Sequence, residues 1–131
     1  MSQLQFSRAN ALIQMVDGNG AVIRGPFQAY NNVAHVAKGP WPNGTFPYVG
    51  HVPHTDLSDP NSAYGTYGIL QFLVPGRIGM GVHSGHVNQA DGLGRVGPAY
   101  CTLGCIRTTD PAMAAFVSAM SADPIRDIVV A

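Results

Sequence analysis

Apolar and polar residues alternate along the first part of the chain, as they do in half-buried β-strands. The alternation predicts strands at residues 4–6 and 11–16. A third strand is predicted to begin at Ala21 and to continue toward Tyr30. The intervening Asp17-Gly-Asn-Gly20 is typical of a tight turn. The chain is therefore expected to open with a β-hairpin or meander, at a structural edge of the sheet.

Three further strands are predicted in the middle of the chain. The first covers residues 45–49, with Pro47 at an edge position or a bulge because proline cannot donate to a ladder. Residues 67–74 are the most apolar run and predict a central strand, and residues 77–83 predict the next one. Trp41, in the loop before these strands, either lines a substrate groove or packs the loop.

The last part of the chain combines a helix with a final strand. Asp110 and Pro111 suit the first turn of a helix, which Thr109 or Asp110 would cap. Apolar residues at helical spacing are predicted to face the core: Met113, Phe116, Val117 and Met120. Asp123-Pro124 ends the helix, and Ile125–Val130 is predicted to be a closing strand.

The composition agrees with a mainly β chain. Apolar residues make up 46% of the 131 residues, whereas charged residues make up only 11%, against about 25% in typical proteins. Sixteen glycines and ten prolines indicate frequent turns. This length suits one modest core, so residues 1–131 are predicted to form a single domain.

The charge balance argues against two classes of partner. The formal net charge is zero and no stretch is strongly basic, so nucleic acid and anionic membrane surfaces are not expected as partners. No segment approaches the roughly 18 consecutive apolar residues of a membrane span. Residues 1–16 lack a basic region followed by a long apolar run, so no classical signal peptide is predicted.

Two short segments concentrate the reactive side chains. Cys101-Thr-Leu-Gly-Cys105-Ile-Arg107 holds both cysteines, and Gly81-Val-His83-Ser-Gly-His86 holds two imidazoles. A thiolate is a strong nucleophile, and imidazole can take the thiol proton near neutral pH. Gly104 leaves the backbone before the second thiol unobstructed, so N–H groups near Leu103, Gly104 and Cys105 can stabilise an oxyanion. These residues predict a cysteine acyl-transfer site.

Thr102-Leu-Gly-Cys-Ile-Arg107, preceded by His83-Ser-Gly, resembles the signature of L,D-transpeptidases of the YkuD type. That signature is a His-Gly or His-Ser-Gly element, a loop, and Ser/Thr-His-Gly-Cys followed by an aliphatic residue and Arg or Asn. The chain departs from it at Leu103, where the family usually has His. The resemblance is best over residues 79–112. It implies a mainly β fold, with a YkuD-like β-sandwich or sheet core and one α-helix in the C-terminal half.

The resemblance also implies roles for these residues. Cys105 is the expected nucleophile and His83 its base, with His86 as the alternative base. Gly104 and Leu103 are expected to contribute to the same catalytic loop. The residues expected to contact substrate are Thr102, Ser84, His86 and Arg107.

Two details of this site stay open in the sequence. Arg107 either holds a substrate carboxylate bidentately or braces the loop through carbonyl groups. With leucine at position 103, His83 needs a different partner from the family's, such as a backbone carbonyl.

The implied substrate is a tetrapeptide stem of peptidoglycan, cleaved after the L-centre of diaminopimelate. The acyl group then passes to an amine, including that of a D-amino acid, or to water, which makes the chain an L,D-transpeptidase, an L,D-carboxypeptidase or both. No cofactor and no metal are expected. The reaction belongs in the periplasm or cell wall. Because no classical signal peptide is predicted, the expected routes are release without a cleavable signal, delivery by a phage, or delivery by a secretion system as a type VI antibacterial effector. An effector would have an immunity protein as its partner.

Two alternatives dispense with acyl transfer. One is a zinc-stabilised binding module, whose ligands would be His83, His86, Cys101 and Cys105. The other is an inactive member of the fold that binds cell-wall peptide. A separate metal site at His51, His54 and Asp56 is not favoured, because Pro53 keeps that segment extended.

Overall fold

The computed structural model describes residues 1–34, 39–53 and 61–131, so His54 and Asp56 lie outside the described residues. Within these ranges the strands are β1 (Ser2–Ser7), β2 (Leu12–Val16), β3 (Val22–Tyr30), β4 (Gly44–Val52), β5 (Ile69–Phe72), β6 (Gly81–His83), β7 (Ile106–Thr108) and β8 (Ile125–Val130). The α-helix, α1, spans Asp110–Met120, and a 3₁₀ helix spans Gly97–Ala99. The strands close into a barrel in the order β1-β2-β3-β7-β6-β5-β4-β8. The prediction of a mainly β chain with one helix in its C-terminal half is confirmed.

The first three strands form the predicted meander. β1 pairs antiparallel with β2, with Leu4 opposite Met15, and β2 pairs antiparallel with β3. Leu4, Ile13 and Met15 are fully buried because alternate residues of each strand point into the core. The prediction that this meander lies at an edge of the sheet is wrong, because β1 also pairs in parallel with β8. One continuous sheet therefore closes on itself, in place of two sheets packed as a sandwich.

Pro47 and Trp41, in and near β4, have surroundings that the sequence did not settle. Pro47 does not lie on an edge strand, since β4 pairs with both β5 and β8, and it occupies the last pair of the β4–β8 ladder. Trp41 is fully buried and packs against the rings of Phe46 and Phe72, with centroids 5.9 and 6.0 Å away. It is a core residue, so of the two alternatives left open by the sequence, the structure excludes a groove-lining role and agrees with a packing role.

α1 begins and packs as its sequence predicts. The Thr109 hydroxyl accepts the N–H of Ala112 at 3.2 Å and so caps the helix. Met113 and Phe116 are fully buried, and Phe116 meets Phe27 of β3 edge to face at a centroid distance of 5.6 Å. Burial of each such side chain stabilises the fold by about 2 kcal/mol. In the part of the chain that the structure describes, no helix is long and apolar enough to cross a membrane.

β5 and β6 are shorter than the predicted runs at residues 67–74 and 77–83. Their residues are Ile69–Phe72 and Gly81–His83. Gly68 and Gly79 have φ values of 72° and 70°, in the left-handed region, where an extended strand does not continue.

The parallel pairing of β6 with β7 brings the two reactive segments together. His83 is paired with Arg107, and Cys105 immediately precedes β7. A Cβ atom at Gly81 would lie 2.5 Å from the carbonyl oxygen of Leu70, so only glycine allows β6 to pack this closely against β5. The segments that contain His83 and Cys105 are separated by an irregular loop in the sequence. They therefore meet through the pairing of β6 with β7.

Candidate active site

A cavity of about 410 Å³ opens beside β6 and β7. The side chains that line it from the two reactive segments are His83, His86, Cys101, Thr102, Leu103, Cys105 and Arg107. The remaining lining residues are Ala34, Ala63, Tyr64, Ile78, Gly79 and Met80. Ser84 and Gly104 are buried behind this lining. The fold thus gathers most of the predicted site residues around one cavity.

Cys105 presents a partly exposed thiol to the cavity. The thiol donates to the carbonyl oxygen of Gly79, with Sγ 3.6 Å from that oxygen. Burial raises the pKa of the Cys105 thiol above its ordinary value, and the N–H of Gly81 and the charge of Arg107 only partly offset this. The protonated thiol is therefore the resting form at neutral pH, and ionisation requires a base.

His83 is held in one tautomer by its own strand end. The ring is 2% exposed, and its Nδ1 lies 2.8 Å from the carbonyl oxygen of Ser84. A carbonyl oxygen only accepts hydrogen bonds, so Nδ1 carries the proton and Nε2 is the basic nitrogen of the neutral ring. The ring of Tyr64 meets the imidazole edge to face at 4.9 Å and restrains its orientation.

Arg107 is buried and directs its guanidinium at four backbone carbonyls. Nη1 donates to Ala63 and Ser84 at 2.8 Å each, Nε donates to Tyr100 at 3.1 Å, and Nη2 donates to Cys101 at 3.3 Å. Burial lowers the pKa of Arg107 to about 10, so the group stays charged at neutral pH. Of the two roles left open by the sequence, this geometry favours the brace.

The carbonyl of Ser84 accepts hydrogen bonds from both the imidazole of His83 and the guanidinium of Arg107. It accepts from Nδ1 of His83 and from Nη1 of Arg107, each at 2.8 Å. The Ser84 hydroxyl is buried and donates to the carboxylate of Asp110, the first residue of α1. β6, β7 and α1 are thereby tied together at one residue, and the Ser84 side chain is engaged away from the cavity.

The segment at residues 62–65 packs onto the His-Ser-Gly element without space for side chains. A Cβ at Gly65 would lie 2.1 Å from Oγ of Ser84. A Cβ at Gly85 would lie 2.4 Å from the Ser62 carbonyl oxygen and 2.8 Å from Nη1 of Arg107. Both glycines also have positive φ values, which side chains disfavour. The sequence does not predict the requirement for glycine at either position, because each requirement arises from a tertiary contact.

Thr102 closes the loop before Cys105 through two hydrogen bonds. Its hydroxyl donates to the carbonyl of Cys105 at 2.7 Å and accepts the N–H of Gly104 at 3.0 Å. The Gly104 N–H, which was predicted to stabilise an oxyanion, is thus engaged by the Thr102 hydroxyl in this structure, so that role stays a prediction. Gly104 itself has φ of 142°, and a Cβ there would lie 3.0 Å from Sδ of Met80, so glycine is required.

Asn31, directly after β3, was not singled out in the sequence. Its side-chain amide donates to the carbonyls of Gly104 and Cys105 at 2.8 and 2.9 Å. Its oxygen accepts the N–H of Trp41 at 2.7 Å and Nη1 of Arg8 at 2.9 Å. A single asparagine at a strand end carries no sequence signal for a contact 73 residues away.

The remaining predicted residues lie toward the rim of the cavity. Leu103 is 73% exposed. His86 stacks on Tyr100 with ring centroids 3.7 Å apart, and its Nδ1 lies 2.8 Å from Oε1 of Gln89. Cys101 is a free thiol. Of the loop at residues 84–100, His86 is the residue that lines the cavity.

The zinc alternative finds no support in this geometry. Across residues 1–34, 39–53 and 61–131, no group of three or more His, Cys, Asp or Glu side chains is arranged to hold a metal ion. His83 and His86 each direct Nδ1 at an oxygen of a neighbouring residue. The residues nominated as ligands line one cavity but do not converge on a common point.

The sequence matches no protein-family model and no curated protein. The fold, however, is similar to solved L,D-transpeptidases. That of Xylanimonas cellulosilytica aligns with a TM-score of 0.61 at 18% identity, over 99% of this chain and 60% of that one. L,D-transpeptidase 1 of Mycobacterium tuberculosis gives 0.57 at 17%, over 99% and 60%. The Mycobacterium smegmatis enzyme gives 0.58 at 19%, over 99% and 58%. This chain therefore spans about 60% of the length of those chains.

Proposed function

We propose that this chain catalyses cysteine-dependent acyl transfer on peptide amides, in the manner of an L,D-transpeptidase or L,D-carboxypeptidase. The observation that carries the proposal is the shared cavity. Cys105 and His83 both line it, and the Nδ1 contact of His83 with Ser84 makes Nε2 the basic nitrogen. The similar fold of solved L,D-transpeptidases supports the same class of reaction.

The first half of the reaction is acylation. Nε2 of His83 takes the proton of Cys105, and the thiolate attacks the carbonyl carbon of the scissile amide. The tetrahedral intermediate carries its negative charge on oxygen and collapses by expelling the amine, which receives the proton from His83. A thioester on Cys105 is left. Because burial raises the pKa of the thiol, Cys105 starts in the protonated form, and its sulfur becomes a thiolate only as substrate reacts.

The second half returns the free enzyme. An amine attacks the thioester in transpeptidation, and water attacks it in carboxypeptidation. His83 accepts the proton of the incoming nucleophile and gives it to the departing sulfur. Within this proposal Arg107 braces the site, since its donors are directed at backbone carbonyls, and no cofactor takes part.

The proposed substrate is the tetrapeptide stem of peptidoglycan, cleaved after the L-centre of diaminopimelate with release or exchange of the terminal D-alanine. This choice rests on the resemblance of the Thr102–Arg107 motif to L,D-transpeptidases and on the likeness of fold. It would place the reaction in the periplasm or cell wall. We propose delivery as an antibacterial effector, with an immunity protein, as a separate step. Expression directed to the periplasm of a bacterial host, with and without an active Cys105, tests it.

Intact-mass measurement tests the reaction itself. Incubation with tetrapeptide muropeptides should release or exchange D-alanine, and incubation with a carbapenem should add one drug mass at Cys105. Cys105→Ala should lose both results while keeping its circular dichroism spectrum, whereas Cys101→Ser should keep most activity, because no comparable setting of glycines surrounds that thiol.

Two outcomes would contradict the proposal. An adduct on Cys101 in place of Cys105 would reverse the choice of nucleophile. Absence of adduct and product, with retained binding of muropeptides, would instead identify an inactive wall-binding protein.

A further inference from the structure

Asn31 makes four hydrogen bonds between the core and the loop that carries the nucleophile. Its Nδ2 donates one hydrogen to the carbonyl of Gly104 and the other to that of Cys105, at 2.8 and 2.9 Å. Its Oδ1 accepts from the N–H of Trp41 and from Arg8. Both amide hydrogens and both oxygen lone pairs are thus used. A flipped amide would set oxygen against two carbonyls, so only one orientation is stable.

This orientation fixes the peptide plane between Gly104 and Cys105. In a trans peptide the C=O and the N–H point in opposite directions. With the Gly104 carbonyl directed at Asn31, the N–H of Cys105 is directed away from Asn31. Asn31 lines a different cavity, together with Phe6 and Arg8, whereas Cys105 lines the one with His83. The Cys105 N–H therefore points away from the side of the loop that Asn31 occupies.

The hydrogen bonds of the loop leave this donor available. The N–H of Gly104 is engaged by the Thr102 hydroxyl. Among the described residues, no acceptor engages the N–H of Cys105. An N–H on the nucleophile's own residue is well placed to stabilise an oxyanion formed where its sulfur attacks.

We propose that Asn31 is a positioning residue that holds the Cys105 N–H as an oxyanion donor. The inference rests on the proposed function only in taking Cys105 as the nucleophile. It does not depend on peptidoglycan as the substrate.

Two thiol reactions separate this role from a general structural one. Acylation by p-nitrophenyl acetate passes through an oxyanion, whereas alkylation by iodoacetamide does not. Both rates are measured on full-length protein that carries Cys101→Ser, so that Cys105 is the reacting thiol. Asn31→Asp keeps the acceptors for Trp41 and Arg8 but removes both donors.

The matched control is Asn32→Asp. The neighbouring Asn32 side chain donates to the carbonyl of Ala99 at 2.9 Å, away from Gly104 and Cys105. Asn31→Ala provides a second variant that places no negative charge near the loop, and thermal unfolding is measured for all three proteins.

Asn31→Asp and Asn31→Ala are expected to lower the acylation rate by about 10- to 100-fold, with the alkylation rate and its pH profile unchanged. Asn32→Asp is expected to change neither rate. An equal fall of both rates in the two Asn31 variants, or no fall in acylation, would overturn the inference. Failure of the proposed function would look different. In that case the rate of ester acylation would depend on Asn31, but neither muropeptides nor carbapenem would react with the protein.

Discussion

Ser84 is the residue at which His83, the proposed base, and the buried cation Arg107 meet. Its carbonyl accepts from His83 and Arg107 at equal distances of 2.8 Å. Burial opposes ionisation of the Cys105 thiol, so this thiol is protonated at rest. In the proposed reaction the thiol proton passes to Nε2 of His83.

The pH dependence of Cys105 alkylation tests this electrostatic arrangement. Because the pKa of the folded thiol is raised, less thiolate is present at neutral pH, and the rate should still increase above the pH at which an ordinary thiol reaches its plateau. His83→Ala should slow turnover by about 100-fold or more and raise the apparent pKa further, because the proton acceptor is lost. Iodoacetamide rates across pH, in a Cys101→Ser background, give both quantities.

His86→Ala is the control for this experiment. Its ring stacks on Tyr100, and its Nδ1 contacts Gln89, so its loss should leave the alkylation profile in place. A shifted profile in His86→Ala, with an unchanged one in His83→Ala, would reverse the assignment of the base.

At the scale of elements, the site depends on the tight contact between the segment at residues 62–65 and the end of β6. Arg107 spans this contact by donating to Ala63 and to Ser84. Gly85 lies in the same contact, where the carbonyl of Ser62 and the guanidinium leave no room for a Cβ. The position of His83, the proposed base, is thereby linked to residues 62–65, which precede β5 and β6 in the chain.

Gly85→Ala should disrupt this contact. Its Cβ would lie 2.4 Å from the Ser62 oxygen at a φ of 111°, so we expect a loss of roughly 3 kcal/mol in stability from strain and overpacking combined, together with loss of turnover. Gly94→Ala is the matched control, because Gly94 also has a positive φ, 77°, but no atom lies within 4 Å of its Cβ position. Urea unfolding of both variants measures the difference. Equal losses would show that φ strain alone decides the result and that the contact is loose.

At the scale of the whole molecule, β8 closes the barrel. Ile128 is fully buried and is paired with Leu4 of β1 on one side and with Phe46 of β4 on the other. Ile128 therefore links strands from the two ends of the chain. The cavity beside β6 and β7 lies on another part of the same closed sheet.

Ile128→Ala should therefore lower stability without altering the site directly. Removal of a buried isoleucine side chain costs about 3 kcal/mol, because a cavity is left in the core. Arg126→Ala, at an exposed position of the same strand, should change stability by less than about 0.5 kcal/mol. Denaturant unfolding measures both values, and activity per folded molecule at low temperature should match the unmodified protein. A site-specific loss of activity in Ile128→Ala, with stability intact, would contradict this separation.

The sequence by itself determined most of the elements. The strand alternation in β1–β3, the capped helix at Asp110–Met120 and the closing strand at Ile125–Val130 follow from local patterns, and the structure agrees with them. The reactive segments at His83 and Cys105 were also visible, because a thiol after glycine and an imidazole at a strand end are local features. Their catalytic roles stay predictions.

Tertiary structure alone decided how these parts are joined. Closure through β1 and β8 removed the expected sheet edge, and packing against Phe46 and Phe72 buried Trp41 in the core. The pairing of β3 with β7 brought Asn31 to the carbonyls of Gly104 and Cys105. Periodicity and capping depend on residues within a few positions of one another. A hydrogen bond that spans 73 residues depends on how the whole sheet closes, which no local pattern encodes.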